Sequence, residues 1–366
     1  MTPDRPITAL FAAILDDPAD VRPIHDPALW RRIREEAPRY GVSAAVAHRA
    51  APLLDGEDRE WCEGVLKTAW VKHRSHLHRT LELLSILERN GIPAVPLKGS
   101  VLAERYYDPP HTRRPSIDID ILVPFHQRRP AVDLLSKGGY TPVRLPWWDE
   151  AHTHHLTLTH PERPRIEVHF HLHHGYRNRH LSSDDFLPGA DFVEAAGAAV
   201  RAFDPASELF YLANHWVSHY CADFAPLLDL RLARRRVDDS SMAVVASLAV
   251  RHKRVVNMLA ANDGYRARWG RPLIPEAAWP PEACRDRRID GLHSRLVRAA
   301  RFSLPWSLQQ KLEILRLNFL LSDDWYDASY GAFRAAAHVF RSAARGLGLA
   351  PASYSIQPPP TTKFPS

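Results

Sequence analysis

The sequence predicts an α+β chain in which a small sheet of short strands is set between helical segments. Three observations predict it. Before residue 91, apolar residues recur at steps of three or four. Between residues 92 and 172, short apolar or alternating runs are separated by Gly and Pro. After about residue 205 the helical period returns and persists almost to the end.

Residues 1–27 read as a short helix and a loop, and Pro27 to Ala50 is helical in pattern. A long helix is expected from Gly56 to Asn90. Its apolar positions are Trp61, Val65, Ala69, Leu77, Leu81, Leu84 and Leu87, with one gap where the step lands on His73. Gly91 suits the residue just past its end. Ile92 to Leu97 reads as a strand, followed by Lys98-Gly99-Ser100 and a helical stretch to Tyr107, which Asp108-Pro109-Pro110 stops. Ile117 to Val123 reads as a second strand, and Gln127 to Lys137 as a helix closed by Gly138-Gly139. Residues 153–160 and 165–172 form two strands around the turn Pro161-Glu162-Arg163-Pro164. Helices are expected over 206–221, 225–237, 241–261, 285–303, 307–320 and 328–346. The Pro- and Ser/Thr-rich residues 350–366 read as disordered. The expected organisation is a helical N-terminal segment (1–59), an α/β domain (60–200), a helical domain (201–348) and a tail (349–366).

Composition narrows the class. The 366 residues are 45% hydrophobic and 25% charged, enough for a normal core. No apolar run reaches 18 residues, so no membrane span is expected. The N-terminus lacks the basic and apolar regions of a signal peptide, and the three cysteines are far apart. A cytoplasmic, reducing setting is the expectation. The net charge of +6 permits an anionic partner such as nucleotide phosphate. The basic residues are scattered, so nucleic acid is only weakly supported.

The chemistry centres on Ile117-Asp118-Ile119-Asp120-Ile121. On a strand, alternation turns the three isoleucines to the core and sets Asp118 and Asp120 side by side on the other face. Two carboxylates this close repel unless a cation lies between them. A hard divalent ion such as Mg²⁺ suits oxygen donors. Taken alone, Asp-x-Asp also fits an exposed edge strand. Upstream, Gly99 and Ser100 open a helix, where backbone N–H groups attract phosphate, and Lys98 adds a charge. Downstream, alternation in Arg165-Ile166-Glu167-Val168-His169-Phe170-His171-Leu172 places Glu167, His169 and His171 on one face.

Taken together, Leu97-Lys98-Gly99, Tyr106-Tyr107, Arg114-Pro115, Asp118-Ile-Asp120-Ile-Leu-Val123 and Glu167-Val-His169-Phe170 resemble a poorly characterised bacterial nucleotidyltransferase family of the polymerase-β-like superfamily. The resemblance covers roughly residues 60–235, including Leu212 to His219 and Leu227-Leu-Asp229-Leu230. It departs in using Glu167 as third acid and Phe170 as the aromatic; the gap from Ser100 to Asp118 is longer than in the wider superfamily but suits this family. The implied fold is a polymerase-β-like core, a small mixed sheet with flanking helices.

The resemblance implies that Asp118, Asp120 and Glu167 hold two Mg²⁺ ions, with Glu167 also a possible general base. It implies that Gly99 and Ser100 hold the β- and γ-phosphates of an NTP, expected to be ATP, and that Lys98 and Arg114 neutralise the transferring group. Arg114 can instead pair with Asp118 or Asp120. His169 either orients Glu167, touches a phosphate, or packs as an ordinary strand histidine. His215, His219 and Asp229 either line an acceptor pocket or rim a packed helix. Trp147 and Trp148 either stack on a substrate or cap the core. The histidines between His152 and His180 allow a zinc site, although no cysteine joins them and their spacing matches no zinc motif. The expected reaction is nucleoside monophosphate transfer to an unidentified hydroxyl-type acceptor. Kinase-like phosphoryl transfer, nucleic-acid extension and non-catalytic nucleotide or partner binding are the alternatives.

Overall fold

The structure is a computed structural model, which describes residues 7–16, 22–144, 153–172, 181–219 and 224–280, with Arg316 and Leu321. Residues Met1–Phe302 form one compact unit and Ser303–Ser366 a second. All strands among the described residues lie in the first unit. The helices expected over 285–303, 307–320 and 328–346, and the tail, lie outside the described residues, apart from Arg316, which is helical.

Helices α1 (Ile7–Asp16), α2 (Arg22–His25), α3 (Pro27–Glu36) and α4 (Ser43–Ala50) lead into the long α5 (Gly56–Arg89). Asp26 starts α3 by accepting from the backbone N–H groups of Ala28 and Leu29 at 3.0 and 3.1 Å, with Pro27 as first helical residue. At the end of α5, Gly91 N–H donates to Glu88 O and Ile92 N–H to Leu87 O, each at 3.0 Å. This satisfies the last carbonyls and folds Ile92 back onto the buried Leu87. The gap at His73 is a buried position after all, where the imidazole lies 2.7 Å from Glu104.

Strand β1 is only Val95–Pro96, although the Leu97 N–H still donates to the Asp120 carbonyl of the neighbouring strand at 3.0 Å; α6 (Ser100–Tyr106) follows. Then come β2 (Asp118–Leu122), α7 (Arg128–Lys137), β3 (Thr141–Pro142), β4 (His155–Thr159) and β5 (Arg165–His169). The five strands form a mixed sheet in the order β1-β2-β5-β4-β3, in which β2 and β5 are parallel and the other pairs antiparallel. One face is apolar. Ile119 and Ile121 of β2, Ile166 and Val168 of β5 and Leu158 of β4 pack with Leu77, Leu84 and Leu87 of α5 and Ala131 and Leu135 of α7. The α+β class and the small mixed sheet with flanking helices are as expected.

Ile117 differs from expectation. It is 82% exposed, because the strand begins one residue later at Asp118 and alternation does not yet apply. A hairpin, β6 (Asp191–Ala195) and β7 (Ala198–Ala202), follows α8 (Ser183–Phe186) and packs beside β1. Its alanine-rich strands carry little β-propensity, so the pattern does not announce it.

Asp204 and Pro205 open α9 (Pro205–Ser218), which packs against α10 (Phe224–Arg234), α11 (Met242–Arg251) and α12 (Val255–Trp269). The single helix expected over 241–261 is thus two. Lys253 takes a left-handed φ of 50°, while His252 stacks on Phe186 at 4.8 Å and Arg254 is fully buried. Burying both side chains in the bundle overrides the helical period. No described helix is long and apolar enough to cross a membrane.

Candidate active site

The polar face of the sheet carries the site. In parallel register, Asp118 lies opposite Arg165, and Asp120 opposite Glu167. On the next strand Thr157 faces Glu167, and His155 faces His169. These ionisable side chains share one face of three adjacent strands because of a period of two and this register.

Asp120 is buried at the centre. His169 Nε2 lies 3.2 Å from its Oδ1 and 3.6 Å from Glu167 Oε2. Lys98 Nζ stands 3.3 Å from Asp120 Oδ2, which accepts no directed hydrogen bond, so that approach is an ion pair. Burial opposes ionisation of Asp120, yet the His169 hydrogen bond and the Lys98 charge hold its carboxyl below the usual range. Burial likewise opposes ionisation of Glu167, and the His169 hydrogen bond with the His155 charge overcomes it, leaving Glu167 at about 2. Burial pushes His169 down, but its two carboxylate partners outweigh this and raise it.

Arg165, on the same face as Glu167, reaches Asp118 Oδ2 at 3.0 Å and Glu167 Oε1 at 3.1 Å. Alternation from Glu167 puts Arg165 on the polar face, and the strand register brings it to Asp118. Arg114 lines a neighbouring cavity together with Asp118.

Ser100 is buried. His76 donates from Nε2 to the Asp118 carbonyl at 2.8 Å, and its Nδ1 lies 3.1 Å from Ser100 Oγ, which in turn donates to Thr80. This chain ties α5 and α6 to the start of β2, and it engages the hydroxyl expected to meet phosphate. Gly99 has φ 87°, and a Cβ there would come within 3.4 Å of both His76 and Ser116. The cleft over Gly99 holds only about 10 Å³.

The roomier space lies alongside. A cavity of about 310 Å³ is lined by Lys98, Arg113, Arg114, Ser116, Asp118, Leu212, His215 and Asp229 among others. Asp229 shapes it from α10. It accepts from Arg113 Nε at 2.9 Å and Nη2 at 2.8 Å, and from the Tyr107 hydroxyl at 2.6 Å. Sequence reasoning did not single out Arg113, although Tyr107 and Asp229 both lie in motif segments. His219 stacks edge-on to His215 at 4.6 Å but does not line the cavity. Across Arg114 and Pro115 a more apolar cavity of about 630 Å³ is lined by Trp61, Val65, Thr68 and Lys72. Trp147 and Trp148 lie outside the described residues.

Among the described residues, two groups place potential metal-ligating atoms within 4.8 Å of one another, Asp120–Glu167–His169 and His154–His155–His169. The first offers two carboxylates and the unbonded Asp120 Oδ2, a donor set that fits a hard divalent cation. Asp118 adjoins it, with Oδ2 held by Arg165.

Residues 26–255 match the family described as uncharacterised nucleotidyltransferases. The chain belongs to this family. No curated protein sequence matches it. Among solved structures, the nucleotidyltransferase is similar to the solution structure of antibiotic-resistance factor ANT(2'')-Ia, at 13% identity and a TM-score of 0.37. That likeness covers 49% of this chain and 94% of the other. The family match spans every strand of the mixed sheet and the helices from α3 through α11.

Proposed function

We propose that this nucleotidyltransferase moves a nucleoside monophosphate from an NTP, in the first instance ATP, to a hydroxyl-type acceptor on a small molecule or protein, releasing pyrophosphate. The observation that carries the reading is the parallel register of Asp120 with Glu167, beside a cavity lined by Lys98, Arg114 and Asp118. Asp118, Asp120 and Glu167 would hold Mg²⁺, consistent with the unbonded Asp120 Oδ2. When bound, the cation neutralises charge on the phosphoryl oxygens. A cytoplasmic setting belongs to the same reading, since the donor is an NTP.

The chain's own residues supply the rest. Lys98 and Arg114 bring positive charge to the cavity, where they would meet the triphosphate. Glu167, ionised down to about 2, is a poor proton acceptor, so its better role is cation ligand. Asp229 orients Arg113 on the cavity wall through two hydrogen bonds.

Arg165 supports a second reading. Its guanidinium already neutralises Asp118 and Glu167, as suits a nucleotide- or partner-binding protein without turnover. A screen of NTPs and acceptors by mass spectrometry, run beside Asp120→Ala, separates the readings. Pyrophosphate with a nucleotidylated product, lost in Asp120→Ala, supports transfer. ADP and a phosphorylated product would point to kinase-like chemistry instead. Equal product from both proteins would sink the assignment of Asp120, and nucleotide binding with no product for any acceptor favours the second reading.

A further inference from the structure

We propose that His154, His155 and His169 form a second metal site, for a borderline divalent cation of the zinc class, backed by the carboxylates of the first. The site does not depend on the nucleotidyl-transfer reading.

The register brings the imidazoles together where linear spacing did not. His155 and His169 are direct partners across the antiparallel β4–β5 ladder, and so project from the same face. His154 lies one residue before β4, where the chain bends and strict alternation does not hold. The ring centroids are 4.3 Å apart for His154–His155, 5.1 Å for His154–His169 and 5.0 Å for His155–His169. One nitrogen from each ring falls within 4.8 Å of the others.

The individual nitrogens suit ligation. His154 Nε2 and His155 Nδ1 are 3.1 Å apart. Two nitrogens on one tetrahedral zinc, each at about 2.05 Å, are separated by roughly 3.3 Å. His169 directs Nε2 at Asp120 and Glu167, and its Nδ1 is buried with no hydrogen-bond partner. His155 Nε2 lies 3.9 Å from Glu167 Oε2, an electrostatic approach and not a hydrogen bond, and its Nδ1 is hydrogen-bonded to His154 Nε2, a contact that a metal ion would replace. For His169, a carboxylate on one ring nitrogen with the other unbonded is the usual support of a zinc-ligating histidine.

The donor set decides the class of ion. Three imidazoles favour zinc-like cations, whereas the neighbouring carboxylates favour magnesium. Three protein ligands leave a fourth position open. His154 and His169 are buried and His155 is half-buried, which leaves a path to solvent. Because His169 borders both groups, an ion on the imidazoles commits its Nε2 proton to Asp120 and Glu167 and links the two sites.

The test uses the full chain, stripped with chelator and titrated with Co²⁺ in excess Mg²⁺, read by visible absorption and by metal content after dialysis. The expected result is one Co²⁺ per chain with the intense spectrum of a low-coordinate nitrogen site. His155→Ala should weaken it by about tenfold or more, and His154→Ala should do the same. His155 is the more exposed, so its variant keeps the test decisive if His154→Ala unfolds; circular dichroism checks both. Asp118→Asn should retain the ion. Unchanged Co²⁺ binding in His155→Ala would overturn the proposal, as would stoichiometric displacement of Co²⁺ by Mg²⁺.

Discussion

The guanidinium of Arg165 donates to the Asp118 carboxylate at 3.0 Å and so balances its charge. Both residues sit at the start of their strands, as register partners. Arg165 also reaches Glu167, so on the proposed reading it would compete with a divalent ion for the same oxygens. Arg165→Gln should therefore tighten Mn²⁺ binding several-fold, measured by calorimetry or electron paramagnetic resonance. Its effect on stability should be small, because the side chain is one-third exposed. Unchanged or weaker Mn²⁺ binding would show that the guanidinium does not compete.

The Arg113–Asp229 pair is buried and doubly hydrogen-bonded. Removing one partner strands the other. Asp229→Ala should cost about 3–5 kcal/mol in chemical denaturation. The double variant Arg113→Met with Asp229→Leu should recover much of that loss, because no buried charge remains. A double variant no more stable than Asp229→Ala would argue against this account.

His169 makes the metal-free protein sensitive to pH. Its folded pKa is raised, although burial opposes this, by Asp120 and Glu167. Its contribution is fully present below the unfolded value of 6.5 and is lost as pH rises through the folded value. Asp120 and Glu167 are shifted the other way. Their contributions hold above the unfolded carboxylate values and disappear in acid as pH falls through the folded ones, about 2 for Glu167. With chelator present, the stability advantage of wild type over His169→Gln should shrink as pH rises above 6.5 through the raised folded value. A constant difference in melting temperature would contradict it.

Gly99 joins backbone geometry to the site. At φ 87° an alanine is strained, and its Cβ would lie in close contact, at 3.4 Å, with His76 and Ser116. Gly99→Ala should cost about 1–3 kcal/mol. It should also disturb Asp118, whose carbonyl His76 holds, and so weaken divalent-cation binding more than Gly91→Ala, where the added Cβ meets nothing within 4 Å.

The sequence by itself determined the helices and strands from α3 to β5 and the polar face of the central strands, but not the β6–β7 hairpin or the break between α11 and α12. Periods of 3.6 and 2 are local properties, so Leu77, Leu84 and Leu87 mark the core face of α5, and Asp118, Asp120 and Glu167 declare a common side. The tertiary structure decided what those side chains touch. Register is a relation between segments that are distant in sequence, and no local pattern shows that Arg165 lies opposite Asp118 or His155 opposite His169. The same holds for Asp229, which reaches Arg113 from a helix more than a hundred residues away. Ser100 makes the point from the other side. Its position at a helix start suggests a phosphate contact, and only packing against α5 turns its hydroxyl inward to His76 and Thr80. Contacts of that kind depend on three-dimensional packing, because burial makes each polar atom take whichever partner the fold brings near.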